Sequence, residues 1–119
     1  MTLTTLVIGA PASAREAAIA STLDTSITTM LILEGLPDGT ANLDTAAELP
    51  NINLARIAPG CLCCTGNLVM RVTLNRVLRH PPARLYISLA TATHLDQIRH
   101  FLTHPPYDAL LMLTDDLCI

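Results

Sequence analysis

Three thiols stand within four residues in Gly60-Cys61-Leu62-Cys63-Cys64-Thr65. Thiolates that close converge only where the backbone turns sharply, and Pro59, Gly60 and Gly66 permit that turn. The segment falls between an expected strand and an expected helix, whose positive end favours the ionised thiol. Three soft thiolates suit a transition metal, Zn²⁺ first or Cu⁺. Glu34, Cys118, a histidine, water or a group from a partner protein could complete the shell. The spacing is C-x-C-C and not C-x-x-C, which favours metal over dithiol redox chemistry. The competing reading is that cysteines are small, apolar and often buried. It suits Cys118, at the end of an apolar strand, better than three cysteines clustered at a loop.

A second constellation follows the first strand. Gly9-Ala10-Pro11-Ala12-Ser13-Ala14-Arg15-Glu16 overlays the phosphate loop G-x-x-x-x-G-K-[ST], with only Gly9 kept. Ala14 stands where a second glycine would let the backbone approach phosphate, and Arg15 stands for the lysine. Arginine keeps the charge but replaces a point charge with a planar fork. Glu16 stands for the hydroxyl that binds Mg²⁺ and brings negative charge instead, while Pro11 removes an N–H from the cradle. Gly9, Ala14, Arg15 and Glu16 are therefore the candidate nucleotide contacts of a degenerate site. The plainer alternative is an Ala-rich helix capped by Ser13 with Glu16 as its capping-box partner.

Other residues carry weaker signals. His80, His94, His100 and His104 are ligands by type. His100 and His104 are four apart on one helix, but surface histidines near a helix end account for them more simply. Asp115-Asp116 at a strand end could bind a cation and reads more simply as a solvated pair.

Composition bounds the functions. Of 119 residues, half are apolar and only 14% are charged, against about a quarter in an ordinary soluble domain. All seven basic residues are arginines, which excludes Schiff-base chemistry and a phosphate-loop lysine. A net charge of −3 with three aromatic residues argues against nucleic acid as a partner. No apolar run reaches the roughly 20 residues needed to cross a membrane, and the first residues lack a basic signal region. The expectation is a cytoplasmic, reducing location, where cysteines stay available to metal.

These residues are positioned by alternating elements. Short apolar strands are expected at 3–8, 29–33, 53–58, 84–89 and 109–113, and helices at 13–23, 67–79 and from Thr93 or Asp96 to residue 102. In the second helix, Leu68, Met70, Val72, Leu74, Val77 and Leu78 mark the apolar side, and Arg71, Asn75 and Arg79 the opposite one. The polar stretch 34–50 is a long loop or holds a short helix at 44–48. The order predicts one α/β domain over 1–119, a three-layer structure around a mostly parallel five-stranded sheet. Sites in such sheets lie beyond the carboxyl ends of the strands, where the cysteines and residues 9–16 both fall.

Taken together, the strand order, the phosphate-loop-like first turn and Gly-Cys-Leu-Cys-Cys-Thr resemble the CobW-type family of P-loop GTPases, related to the hydrogenase and urease nickel-insertion accessory proteins. The resemblance implies a P-loop NTPase-like (Rossmann-like) fold, metal bound by the motif Gly60, Cys61, Cys63 and Cys64, and metal delivery coupled to GTP hydrolysis. Thr65 and a helix from Asn67 follow as in the family. Glu34, and more weakly Asp44, match its acidic switch segment. Ser88-Leu89-Ala90-Thr91 stands where the family has E-x-S-G, without its acid or glycine. The guanine-reading N-K-x-D would fall after Ile119. The resemblance implies a metal-binding protein that keeps the cysteine site and has lost GTP hydrolysis. It leaves two other readings, a weak GTPase using Arg15 and a pseudo-GTPase interaction module. Expected partners are the metal ion and either a second copy of the chain or a client metalloprotein.

Overall fold

A computed structural model describes residues 1–9, 11–35, 43, 48–57, 68–93 and 95–119. In chain order these form β1 (Thr2–Ile8), α1 (Ala12–Thr22), β2 (Thr29–Glu34), β3 (Ile52–Ile57), α2 (Leu68–Val77), β4 (Arg84–Ser88), α3 (Leu95–Leu102), a 3₁₀ turn (Tyr107–Ala109), β5 (Leu111–Leu113) and β6 (Leu117–Cys118). The sheet runs β3-β2-β4-β1-β5, and every pairing is parallel. The two-residue β6 also pairs with β1, opposite Val7 and Ile8, while β5 pairs with Thr2–Thr4. It continues the edge that β5 begins, past Thr114, whose N–H donates to the Thr4 carbonyl at 2.9 Å. The expected α/β architecture with a parallel sheet is the one observed.

The strands are apolar on both faces because both are covered. Leu6, Ile32, Leu85 and Ile87 meet Met70 and Leu74 of α2 and Ile98 and Leu102 of α3. Their neighbours along the strands, Val7, Leu31, Leu33 and Tyr86, point the other way, toward Ile19 of α1, with Leu43 in the same cluster. The period-two alternation of the strand backbone separates the two clusters.

The buried side of α2 matches the expected one at Met70 and Leu74 and departs from it at Leu68, Val72 and Thr73. Met70, Thr73 and Leu74 are buried, whereas Leu68 and Val72 are exposed. The Thr73 hydroxyl satisfies itself inside the helix by donating to the Val69 carbonyl at 2.8 Å, so a polar residue fits the core side. On the side expected to face solvent, Asn75 accepts a hydrogen bond from the Tyr107 hydroxyl at 2.9 Å, and Arg71 lies over the Phe101 ring. Arg71, Asn75 and Arg79 are exposed, as expected for the polar side, and the first two touch the α3 region from there. The possible helix at 44–48 and the helix start at Asn67 lie outside the described residues.

Candidate functional site

The carboxyl ends of β1, β2 and β4 meet the first turn of α1. The helix begins one residue before the expected cap: Pro11, in an extended conformation, is the N-cap and offers no side-chain hydrogen bond. Its carbonyl accepts the N–H groups of Ala14 (3.0 Å) and Arg15 (3.3 Å). The Ser13–Glu16 capping box is therefore not formed, and the reason is electrostatic. Both Glu16 carboxylate oxygens are taken by Arg56 of β3, at 2.9 and 3.0 Å. That two-pronged pair is nearly dry and binds tighter than a capping contact to one backbone N–H.

Arg15 points inward. It is 2% exposed, and its guanidinium donates to three strand ends. Nε donates to Ser88 Oγ at 2.7 Å, one terminal nitrogen to the Gly9 carbonyl at 2.6 Å, and the other to the Glu34 carbonyl at 2.8 Å. Burial pulls the guanidinium below the ordinary arginine value, and Glu34 and Glu16 push it back up. Glu34 itself is buried, and its carboxylate accepts the Ala90 N–H at 2.7 Å. Ser88 and Ala90, in the segment aligned with E-x-S-G, are thus both engaged with internal partners.

Two glycines make this closeness possible. Gly9 and Gly35 follow β1 and β2 with φ of 124° and 141°, a region that suits residues without a Cβ. A Cβ on Gly35 would stand 3.1 Å from the Ala12 Cβ and 3.7 Å from the Arg15 guanidinium. The end of β2 can approach α1 only without a side chain there.

A phosphate cradle presents N–H donors to an anion. Among the described residues this corner presents two carbonyls, a hydroxyl and a carboxylate, all facing a guanidinium. Its polarity suits a cation, and Arg15 supplies that cation from within. Gly9, Ala14, Arg15 and Glu16 do come together, and each has an internal partner. The sequence did not reveal Arg56 and Ser88 as those partners. Their signal was a polar residue near the carboxyl end of a mostly apolar strand.

Cys61, Cys63 and Cys64 lie outside the described residues, as do Gly60, Thr65, Asp44 and His94. Among the described residues, no three or more of His, Cys, Asp and Glu stand close enough to hold a metal ion. Cys118, expected to pack, is exposed in β6 beside Ile8. Among the described residues its two-residue strand pairs only with β1, at the edge of the sheet. His100 and His104 stack at 3.8 Å on the surface, with His104 Nδ1 2.6 Å from the His100 carbonyl. Asp116 pairs with Arg99. No helix among the described residues is long and apolar enough to cross a membrane.

No protein-family model matches the chain, and no solved structure matches it. Over 67 residues, 56% of its length, the chain is 42% identical to the zinc chaperone YeiR of Escherichia coli strain K12. It spans 20% of that protein's length. Over more than half of its residues, then, the chain is similar to a protein that handles zinc.

Proposed function

We propose that the chain is a CobW-like metal-binding protein whose nucleotide site no longer hydrolyses GTP. In this reading Cys61, Cys63 and Cys64 are the ligands, zinc is the cargo, and the residues 1–119 form one domain. A reducing cytoplasm keeps the thiols free, and a client metalloprotein receives the metal. The observation that carries the proposal is the 42% identity over 67 residues to a zinc chaperone, in a chain with three thiols inside four residues. The donor set fits: three thiolates more than offset the charge of Zn²⁺ and leave one of its four positions for a shared ligand, as a cargo site needs. Loss of hydrolysis is supported by the buried bonds of Arg15, whose guanidinium is committed to Ser88, Gly9 and Glu34 and not held ready for a phosphate.

Metal analysis of protein purified under reducing conditions tests the first half. The wild type is expected to carry stoichiometric zinc, and a Cys61→Ser/Cys63→Ser/Cys64→Ser variant little. Equal trace metal in both overturns the metal site. Titration with GTP and Mg²⁺ tests the second half, with no turnover expected. Saturable binding with phosphate release would restore the GTPase reading, in which Arg15 serves as the lysine.

A further inference from the structure

A cleft of about 400 Å³ opens on the other side of the molecule from Arg15, between α2 and the edge strand β3. Its volume lies within the range of small-molecule sites. Met30, Val77 and Pro82 give it apolar walls, and Asn53, Arg76 and His80 give it polar ones. Among the described residues, no aspartate or glutamate lines it. The Asn53, Arg76 and His80 side chains make no hydrogen bond or ion pair among the described residues.

The strand supplies a further polar group. β3 pairs with β2 on one side, and its other edge is open among the described residues. The carbonyls of Asn51 and Ile57 accept the N–H groups of Thr29, which begins β2, and Gly35, which follows it, so odd-numbered residues of β3 turn their main chain inward. Leu54 therefore turns its N–H and carbonyl outward, and its side chain packs with the α1-side cluster. It borders the cleft with its main chain. The last turn of α2 is already closed by the N–H groups of Leu78, Arg79 and His80, which bond the Leu74, Arg76 and Val77 carbonyls. This partly covers the negative end of the helix, which would otherwise oppose an anion.

We propose that this cleft binds a small organic carboxylate with an aliphatic body and an amide. The carboxylate pairs with the planar fork of Arg76, with His80 and Asn53 as further donors. The amide bonds the Leu54 main chain, and the aliphatic part covers Met30, Val77 and Pro82. A guanidinium with no partner among the described residues is what distinguishes this site, because a fork–carboxylate pair is both strong and directional.

Backbone amide shifts in the purified chain, followed during titration with N-acetyl-leucine, test it. The expected result is saturable shifts at Leu54, Ala55 and Val77 in the millimolar range. N-acetyl-leucinamide, which lacks the carboxylate, is expected to bind about tenfold more weakly. Inorganic phosphate, which lacks the apolar body, is expected not to displace the acid. Arg76→Gln should remove the preference for the acid over the amide. Arg79→Gln, in the turn that follows α2 and outside the cleft, should leave it intact. Absence of saturable shifts, equal affinity for acid and amide, displacement by phosphate, or equal effects of the two arginine variants would each overturn the proposal.

Discussion

Two groups of arginines behave in opposite ways. At the carboxyl end of the central strands, Arg15 is buried and donates to three acceptors, and Arg56 grips Glu16 with both terminal nitrogens. In α2, beside the β3 edge, Arg76 is exposed, lines an open cleft and has no partner among the described residues. The difference teaches that a charged residue at a motif position is not thereby free to act on a ligand. A buried guanidinium must be fully paired to be tolerated at all, so its hydrogen bonds belong to the fold. An exposed one keeps its water and can exchange it for a ligand.

Substitutions at four positions sharpen or break this contrast. The largest effect is expected for Arg15→Ala, which leaves the Glu34 carboxylate facing a cavity and strips three acceptors of their donor. Urea unfolding should show a loss of about 3–5 kcal/mol, a large share of the stability of a small domain. Arg15→Lys should recover only part of this, because an ammonium cannot span the three strand ends as a fork does. A loss below about 1 kcal/mol for Arg15→Ala would mean that the network is not structural.

Glu16→Gln comes next. It removes the charge from a largely buried two-pronged pair and should cost about 1–3 kcal/mol by the same measurement. If 1 M salt weakened the wild type by as much, the pair would be acting as a solvent-exposed one, since buried pairs are screened far less.

Tyr107→Phe should cost about 1 kcal/mol, through the lost hydrogen bond to Asn75. It also carries a pH signature. Burial raises the Tyr107 hydroxyl above its ordinary value of 10.0, with Arg71 opposing. The folded protein thus holds that proton more tightly than the unfolded chain. The resulting stability is fully present below pH 10 and is lost as pH rises through the raised folded value. Stability measured from neutral to strongly alkaline pH should therefore fall less steeply in Tyr107→Phe than in the wild type. Parallel curves would show that the hydroxyl is effectively solvated.

The smallest effect is expected for Arg76→Gln, which should stay within about 0.5 kcal/mol of the wild type. A loss matching that of Glu16→Gln would mean that Arg76 is engaged in the fold and would erase the contrast.

Much of the fold was legible in the sequence. The apolar runs expected at 3–8, 29–33, 53–58 and 84–89, alternating with helices, pointed directly to a mostly parallel sheet. The orientation of α2 was less legible. Val72 and Thr73 are adjacent, and periodicity alone favours burying the apolar one. The structure buries Thr73, because its hydroxyl can bond to the Val69 carbonyl, and leaves Val72 in solvent. The Ser13–Glu16 box failed for a similar reason. A local contact four residues long lost to Arg56, forty residues away, which no local pattern announces. Cys118 looked like a packed residue because its neighbours are apolar, yet its position at the edge of the sheet leaves it exposed.

The sequence by itself determined the alternation of strands and helices, the absence of any lysine, and the clustering of three cysteines beyond the third strand. These follow from residue type and order, which act over a few residues at a time. Only the tertiary structure decided where Arg15 would spend its charge. That depended on bringing Gly9, Glu34 and Ser88, far apart along the chain, within 3 Å of one guanidinium. Once the strand ends converge, their carbonyls and the Glu34 carboxylate need a buried cation. Burial makes leaving them unpaired more costly than holding an arginine there.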